Sequence, residues 1–482
     1  YDQTTTDNYG ITSYREDPAT HVQQAVAWKV VGYSVDGGTT YTTNKPAWLT
    51  SLSKTEGDGG TAADQGTATL RKDVTDLLAK RNKELQTATA LGSASAPYDL
   101  STKGGSVANR STANCYVISA PGHYRIPLVY GNAIENGSTN ANAYISHAAA
   151  GNSNVLYNFK DHNNQNITDP WIEKTNGGAN NGVDGAEVVW ADAADLVHSP
   201  SITHVGGEGF LDFEVKASDI QSGNAVVAVK KGNTIVWSWH LWFAPQDALS
   251  TIAVTNYQGK TYNFTKETLG WKPTQWSGST YDKPRTVKVK VEQTVANNGT
   301  KQVSEFTITQ NPGNVRTGAT TLYQFGRKDA FPGVDASKLA AGSHFTENAG
   351  DNMSLKNGIQ NPSSLYTGTL YIGSSSWSTN YGYYNLWSAD NTVSGSYDVG
   401  NDNPVIKTVY DPCPVGFKMP ANNAFTGFTA NGQNFGTVNV DGTDNGQTFQ
   451  NNFGHNFWTS SSKTATIYFP ASGYRYFITG LL

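Results

Sequence analysis

Five aromatic residues crowd into one short polar segment late in the chain, and their spacing suits sugar binding. They are Trp377, Tyr381, Tyr383, Tyr384 and Trp387, separated mainly by small or polar residues. Aromatic rings stack on the apolar face of a pyranose, while amides and hydroxyls bind its hydroxyl groups. These five residues are the predicted ligand-binding site. The alternative is a loop whose rings cap a small core.

A second aromatic segment, Trp-Ser-Trp-His-Leu-Trp, occupies residues 237–242. Alternation along a strand places Trp237, Trp239 and Leu241 on one face and Ser238, His240 and Trp242 on the other. The second face could form another sugar platform. We instead expect both faces to be buried, as in a strand inside a sandwich, with His240 hydrogen-bonded to a local acceptor.

Carboxylates suggest a third kind of chemistry, sugar hydrolysis. Asp184 with Glu187, or Asp212 with Glu214, could supply the two carboxyl groups that a glycosidase holds about 5 to 9.5 Å apart. Two carboxylates on one strand are more typical of a solvated face. We favour that interpretation for both pairs.

Oxygen-bearing side chains also gather within residues 398–403. Asp398, Asn401, Asp402 and Asn403 offer ligands of the kind that calcium takes, but the same residue types are ordinary in turns. Elsewhere the nine histidines form no His-Glu-x-x-His motif, and the sequence lacks a phosphate loop, a dinucleotide fingerprint between strand and helix, and a Gly-x-Ser-x-Gly elbow. We therefore predict no catalytic residues, no metal and no cofactor.

The composition indicates an all-β protein. Charged residues make up only 15% and aromatic residues 11%, with 49 glycines, a balance that favours short strands and polar turns over helices. The formal net charge of −5 is spread without a basic stripe, so nucleic acid is not an expected partner. No apolar run approaches the roughly 18 residues of a membrane span.

Strands and turns divide the chain into four predicted domains. Residues 1–97 form a β-sandwich with one amphipathic helix, residues 98–245 a second sandwich, residues 246–315 a β-rich inserted or immunoglobulin-like segment, and residues 316–482 a C-terminal domain. The small-residue stretch 90–97 is interpreted as a linker.

Local patterns within these domains predict individual helices and strands. Leu70, Val74, Leu77, Leu78 and Leu85 form one apolar face of a helix among charged residues. Residues 285–292 and 303–310 alternate as strands around an Asn-Gly turn, which predicts a hairpin. A shorter helix is predicted at residues 422–428.

The two cysteines lie in segments 114–124 and 410–420, which look like family signatures. With blocks 223–230, 237–242, 323–333 and 467–475, they resemble the surface-protein family of gut Bacteroidetes that includes fimbrillin-like pilins and a C-terminal Fibrobacter-type major paralogous domain of lectin-like type. Residues 47–52 are similar to an immunoglobulin-like module associated with carbohydrate binding. Compared with the family, residues 272–318 look like an insertion.

The resemblance implies tandem immunoglobulin-like or fimbrillin-like β-sandwiches followed by a lectin-like α+β domain. It also implies a non-catalytic adhesin or pilus subunit, possibly at the tip, on the bacterial cell surface. Its partners would be neighbouring subunits, joined by strand addition, and a host or dietary glycan. The alternatives are a carbohydrate-binding accessory protein of a polysaccharide-uptake system and a phage or tail-associated fibre.

The pairing of Cys115 and Cys413 is open at this stage. One disulfide across domains and two buried thiols both fit the sequence, because cysteine is among the most often buried residues. We expect separate thiols, since the two segments fall in different predicted domains.

Overall fold

The computed structural model describes residues 4–147, 154–368, 383–391, 400–433, 436–442, 453–476 and 478–482. Strands predominate over helices, so the predicted all-β class is confirmed. The strands are β1 (Thr6–Glu16), β2 (Gln23–Ala25), β3 (Trp28–Ser34), β4 (Leu49–Leu52), β5 (Glu56–Gly57), β6 (Gly60–Leu70), β7 (Val74–Asp76), β8 (Tyr98–Asp99), β9 (Cys115–Ile118), β10 (Gly122–Pro127), β11 (Ile134–Glu135), β12 (Ser138–Thr139), β13 (Gly185–Ala191), β14 (His198–Val205), β15 (Glu208–Val215), β16 (Gly223–Lys231), β17 (Thr234–Phe243), β18 (Thr251–Thr255), β19 (Thr261–Thr265), β20 (Lys272–Ser279), β21 (Arg285–Gln293), β22 (Val303–Gln310), β23 (Asn314–Ala319), β24 (Gly454–Trp458) and β25 (Thr466–Pro470).

The helices are short. They are α1 (Leu77–Thr87), α2 (Thr175–Gly178) and α3 (Leu355–Gln360), with 3₁₀ turns at Val107–Asn109, Ala141–Ala143, Gln246–Leu249, Ala336–Lys338 and Asn422–Phe428. The last of these confirms the short helix predicted at residues 422–428. None of the helices within the described ranges has the length and apolar character needed to cross a membrane.

The chain forms two compact units. Unit 1 comprises Tyr1–Leu78 and Gln275–Arg316, and unit 2 comprises Ala79–Thr274 and Thr317–Leu482. This division differs from the four predicted domains, because positions 97 and 245 do not separate compact bodies. The segment that looks like an insertion instead folds with the N-terminal residues in unit 1.

Unit 1 contains two four-stranded sheets that share one core. Their orders are β2-β1-β6-β4 and β22-β21-β3-β5. Leu49 and Leu70 from the first sheet pack in the same hydrophobic cluster as Val287 and Val289 from the second. The predicted hairpin β21–β22 is confirmed, and its turn places Asn298 and Gly299 at positive φ, as an Asn-Gly turn requires.

The helix predicted from Leu70 starts later than expected. Leu70 ends β6, and residues 74–76 form strand β7, which pairs with β20. Val74 and its β-branched neighbour Thr75 favour extended backbone, and strand pairing supplies hydrogen bonds that a free helical turn would lack. The helical pattern is correct only for α1. Arg81, one of the charged residues that surround the predicted apolar face, is buried.

Unit 2 also contains two four-stranded sheets. Their orders are β14-β15-β10-β8 and β13-β16-β17-β9. Ile126 and Trp237 from these sheets share one hydrophobic core with Leu355, Leu386 and Tyr410. The part of the C-terminal segment that contains Leu355, Leu386 and Tyr410 therefore shares the core of the sheets, whereas Phe428 and Ile467 pack with Val254 in a separate hydrophobic cluster.

Two polar contacts tie distant segments of unit 2 together. Arg81 on α1 makes a bidentate ion pair with Glu267 at 2.6 and 2.8 Å, and both side chains are buried. The stretch interpreted as a linker instead lies along β10, because the Leu91 carbonyl accepts from the His123 amide at 2.9 Å. That interpretation was wrong, since backbone pairing can recruit small residues that show no strand pattern.

A buried charge cluster anchors the 323–333 block. Asp329 accepts from Lys328 Nζ at 2.6 Å and from Arg327 Nη2 at 2.9 Å, and Ser238 on β17 donates to the same carboxylate at 3.0 Å. The Arg327 guanidinium also donates to carbonyls at Gly358 and elsewhere, so the block is fixed on several sides. This anchoring holds Tyr323 against the sheet.

Candidate functional site: an apolar cleft in unit 2

The predicted aromatic site is only partly described. Trp377 and Tyr381 lie outside the described residues. Tyr383 and Trp387 are half-buried and pack against the core of unit 2, and Tyr384 lies beside them at an intermediate exposure. Of these three, Trp387 alone lines a cavity, so the structure does not bring the described members together on one open platform.

That cavity is a half-open cleft of about 300 Å³ with mostly apolar walls. It is lined by Trp242, Leu249, Tyr262, Asn263, Phe264, Thr265, Thr268, Leu269, Thr321, Tyr323, Trp387, Pro412, Cys413, Pro414, Phe417, Lys418, Met419, Pro420, Phe425 and Phe469. Its size is at the lower end of the range of small-molecule pockets, about 300 to 1,000 Å³. Several of its walls come from the segments that resemble the surface-protein family.

Two aromatic rings extend the apolar surface to the solvent. Phe425 lines the cleft and is 46% exposed. Phe325 is 51% exposed and packs edge-to-face on Trp387, with ring centroids 5.2 Å apart. Exposed aromatic rings beside a cavity are typical anchors for binding.

The indole of Trp387 is held in place by two carbonyls. Its Nε1 donates to the carbonyl of Tyr410 at 3.1 Å and to that of Arg327 at 3.3 Å. With the polar edge engaged inside the protein, the rest of the ring is left to line the cleft. The same holds for Trp242, whose Nε1 donates to the carbonyl of Trp271 at 3.0 Å.

The proline-rich wall at residues 411–420 is organised by a buried carboxylate. Asp411 accepts from the Cys413 amide at 2.7 Å and from the Met419 amide at 2.9 Å. Lys407 Nζ donates to the carbonyls of Cys413 and Pro414 at 2.9 and 2.8 Å. Burial raises the pKa of Asp411. These contacts fix an extended loop that its prolines prevent from becoming helical.

Most polar groups in the cleft walls already have protein partners. The Tyr262 hydroxyl donates to Asp402, and burial with this contact raises its pKa to about 12. Lys418 Nζ donates to the carbonyl of Val405 at 2.6 Å, and the Thr321 hydroxyl donates to that of Leu269 at 3.1 Å. Asn263 is exposed at the rim.

Thr268 differs from these residues. Its hydroxyl oxygen is buried and has no hydrogen-bond partner among the residues that the structure describes. A buried hydroxyl without a partner is unfavourable, by about 1 to 3 kcal/mol. Thr268 lines the cleft, but its hydroxyl oxygen is not accessible from it, whereas the exposed Asn263 presents a polar side chain at the rim.

The strand at residues 237–242 is buried on both faces, which confirms that expectation and rules out a second sugar platform. His240 is 2% exposed; its Nε2 lies 2.8 Å from Asn224 Oδ1 and its Nδ1 lies 3.1 Å from the Tyr323 hydroxyl. Asn224 Nδ2 donates to Asp192 and to the Gly270 carbonyl, so Oδ1 is the acceptor and Nε2 carries the proton. Burial lowers the pKa of His240 to about 3, so the ring is neutral.

The carboxylates considered for sugar hydrolysis have other partners. Glu187 pairs with Lys230 at 2.7 Å, and Asp212 accepts from Nε and from Nη2 of Arg125, each at 3.1 Å. Asp184 accepts from the amide of a β16–β17 turn residue at 2.9 Å. These contacts fit the interpretation of structural surface carboxylates.

The residues considered for calcium connect loops. Asp402 accepts from Asn423 Nδ2 and from Asn256 Nδ2, each at 3.0 Å, and hydrogen bonds from Asn423, from the Tyr262 hydroxyl and from Asn256 lower its pKa. The Asn401 side chain accepts from the Asn403 amide at 3.0 Å. Asp398 lies outside the described residues. Within the described ranges, no group of three or more acidic, histidine or cysteine side chains could hold a metal ion.

Cys115 and Cys413 are both buried free thiols, which confirms the expected absence of a disulfide between them. The reason given for it was wrong, because both belong to unit 2 and Cys115 forms a backbone bridge with Pro414. Burial raises the pKa of both thiols. Cys413 lines the cleft, but a thiol of raised pKa is a poor nucleophile.

Sequence reasoning missed most of the cleft. Phe264 and Phe425 carried no motif, and they meet because the β18–β19 hairpin and the 422–428 turn pack together, with their ring centroids 5.5 Å apart. The signals visible in the sequence were the proline-rich segment, Trp387 and the blocks that contain Trp242, Tyr323 and Phe469. Comparison of the chain with protein-family models, with curated proteins and with solved structures found no match.

Proposed function

We propose that this chain is a non-catalytic adhesin or pilus subunit, exposed on the surface of a gut Bacteroidetes bacterium, that attaches to a protein or glycan ligand. The observation that carries this proposal is the half-open aromatic cleft of unit 2 with exposed Phe325 and Phe425 at its rim. Buried aromatic anchors with a solvent-facing rim dominate the energetics of many binding sites.

The ionisable groups near the cleft favour binding over catalysis. His240 is neutral and fully engaged, the Cys413 thiol has a raised pKa, and Tyr262 is committed to Asp402. A general acid or base needs a pKa near the working pH and access to the substrate. Binding is therefore the function that these groups support best.

The finer fold assignment belongs to the same proposal. We infer that unit 1 is an immunoglobulin-like sandwich and that the C-terminal segment is lectin-like. Two four-stranded sheets around one core support the first assignment. Short strands β24 and β25 beside the 3₁₀ turn Asn422–Phe428 support the second.

A second candidate function, strand addition between pilus subunits, is supported by unit 1. A cavity of about 320 Å³ lies between residues 10–14 of β1 and residues 302–306 at β22. β22 is the edge of its sheet, and β2 covers β1 only from Tyr14 to Glu16. Open strand edges can accept a strand from another chain through main-chain hydrogen bonds.

Attachment of whole cells tests the proposal. Cells carrying Phe325→Ser with Phe425→Ser should attach less well to epithelial or mucin-coated surfaces than wild-type cells. Tyr474→Ser is the matched control, because this ring is 71% exposed and does not line the cleft. Protease treatment of intact cells should digest the chain if it is on the surface. Equal attachment by cells with the double phenylalanine variant and by cells with the Tyr474→Ser control would contradict the proposal. Complete protection of the chain from protease would also contradict it.

Two further measurements separate the alternatives. Filaments labelled by antibody in electron micrographs would support a pilus subunit. Binding to a glycan array without filaments would favour a carbohydrate-binding accessory protein, and labelling of phage particles would favour a fibre.

A further inference from the structure

We propose that the cleft of unit 2 binds an extended segment of a protein partner, which adds as a strand to the free edge of β19 and places an apolar side chain in the cleft. This inference rests on the proposed function, because it chooses a protein from the two ligand classes proposed for the same cleft. It is carried by the unpaired backbone of β19, by the apolar cleft walls and by the charges beside them.

Strand β19 has one open edge. It forms a two-stranded antiparallel sheet with β18, in which Asn263 lies opposite Ala253. Just beyond one end of this ladder, the Lys266 amide donates to the Ser250 carbonyl at 2.6 Å. Hydrogen-bonded and non-hydrogen-bonded pairs alternate along an antiparallel ladder. Asn263 is three positions from this hydrogen-bonded pair, so its backbone N–H and C=O point away from β18.

The same alternation applies to Thr261 and Thr265. Each lies two residues from Asn263, so its backbone N–H and C=O also point to the free side of β19. Among the residues that the structure describes, none provides a hydrogen-bond partner for these backbone groups. The outer edge of β18 differs, because the Thr255 amide there donates to the Thr459 carbonyl at 2.8 Å. The free edge of β19 can therefore accept an added strand through main-chain hydrogen bonds.

The cleft lies beside this free edge. Tyr262, Asn263, Phe264 and Thr265 all line it. Successive side chains of a strand point to opposite faces, so a cavity lined by four consecutive residues lies next to the strand and not under one of its faces. A segment added to β19 would pass along the cleft and direct every second side chain to one face.

The walls suit an apolar side chain of such a segment. They are mostly apolar, with the rings of Phe264 and Phe425 among them. Tyr262, Thr321 and Lys418 donate to protein acceptors, so few side-chain groups remain for the several hydroxyls of a sugar. A peptide differs from a sugar, because the edge of β19 pairs with its backbone while its apolar side chain is buried. A protein segment therefore matches this cleft better than a sugar does.

The charges beside the cleft indicate the neighbour of that apolar side chain. Lys418 is the one charged residue among the described residues that line the cleft, and only one of its three donors is used, by the Val405 carbonyl at 2.6 Å. Lys260 and Lys266 flank β19 and are both exposed. Lys266 pairs with Asp247, but an exposed ion pair is weak. An acidic residue near the apolar one in the partner segment would complement these lysines.

The test starts from a displayed library of random peptides of about nine residues, which is within the usual length of a strand. Selection on the whole purified chain should enrich peptides that share a large apolar residue with an acidic residue two positions away, on the same face of a strand. The strongest of these peptides is then labelled, and its binding to the chain is measured by fluorescence anisotropy.

A matched pair of variants tests the free edge. Asn263→Pro removes one outward N–H, at an edge position where a strand tolerates proline. It should weaken binding of the selected peptide by about 2- to 12-fold, which corresponds to one hydrogen bond. Asn263→Ser removes the same side-chain amide but keeps the N–H, so it should bind as wild type does. Phe425→Ala should weaken binding, whereas Tyr474→Ala should not.

Peptides with N-methyl groups decide the question even if Asn263→Pro lowers the melting temperature. Methylation of the alternate amides that face β19 should abolish binding, whereas methylation of the other alternate set should be tolerated. The inference is overturned if no peptide is enriched, if Asn263→Pro binds as well as Asn263→Ser, or if both methylated sets bind equally. Peptide binding with unchanged attachment of the double phenylalanine variant would instead refute only the proposed function.

Discussion

Mild acid should destabilise unit 2 through His240. The neutral ring donates from Nε2 to Asn224 and accepts at Nδ1 from Tyr323. A proton added at Nδ1 would face the Tyr323 hydroxyl, which donates to that nitrogen while the ring is neutral. The tyrosine hydroxyl would then have to give up its own donor role. Together with burial, this explains why the charged form of His240 is disfavoured.

The sign and size of the effect follow from the two pKa values. Burial lowers the pKa of His240 from 6.5 to about 3 in the folded chain. Between these values the unfolded chain binds a proton that the folded chain does not, so stability falls as the pH falls. From about pH 7 to about pH 5 the loss from this one group is about 2 kcal/mol, since each pKa unit is worth about 1.4 kcal/mol. The loss levels off near the folded pKa.

Urea unfolding of wild type and His240→Gln at several pH values measures this effect. Other buried groups, such as Asp192 and His162, also titrate differently in the folded chain, so the difference between the two proteins is the relevant quantity. His344→Gln is the matched control, because that side chain is exposed. The His240→Gln variant should lose about 2 kcal/mol less than wild type over this pH interval. An equal pH dependence would refute the assignment of a buried neutral ring.

Three other perturbations have defined outcomes. Arg81→Met should cost about 3 to 5 kcal/mol in the free energy of unfolding, because it leaves Glu267 buried without its bidentate partner, whereas adding Glu267→Leu should restore most of the loss. The thiols of Cys115 and Cys413 should react with iodoacetamide only in denaturant, and a disulfide-linked peptide in non-reducing mass spectrometry would contradict this. Gly299→Ala should cost about 1 to 2 kcal/mol in urea unfolding, because its φ of 81° lies in the left-handed region. An unchanged unfolding midpoint for Gly299→Ala would count against the assigned turn.

The sequence predicted local features well where residues close together in the chain determine them. The β21–β22 hairpin follows from alternation and an Asn-Gly turn, and the 422–428 turn is present at the predicted residues. The start of α1 could not be predicted from residues 70–85 alone. Pairing of β7 with β20 connects positions about two hundred residues apart, and no local pattern encodes such a partner.

The domain boundaries were obscured for the same reason. Residues 90–97 have no strand pattern, yet Leu91 exchanges backbone hydrogen bonds with Pro121 and His123. The sequence alone suggests that Arg81 lies on the surface, but in the structure it is buried beside Glu267. Local composition indicates the secondary structure and the solvent exposure that a segment favours by itself. A partner far away in the sequence can override both.

The cleft walls are mostly apolar because the polar groups near them form hydrogen bonds within the protein. Asp411 and Lys407 bind the backbone of the proline-rich wall, and the indoles of Trp242 and Trp387 donate to carbonyls behind the cleft. Substitutions at these positions should lower stability, because they leave buried groups without partners. The ring of Phe425 is 46% exposed and its truncation leaves no buried polar group without a partner, so this change should cost less stability than the framework substitutions. Substitutions of the buried polar groups and of the exposed ring therefore have different expected effects. Comparing them can distinguish a binding cleft from a purely structural one.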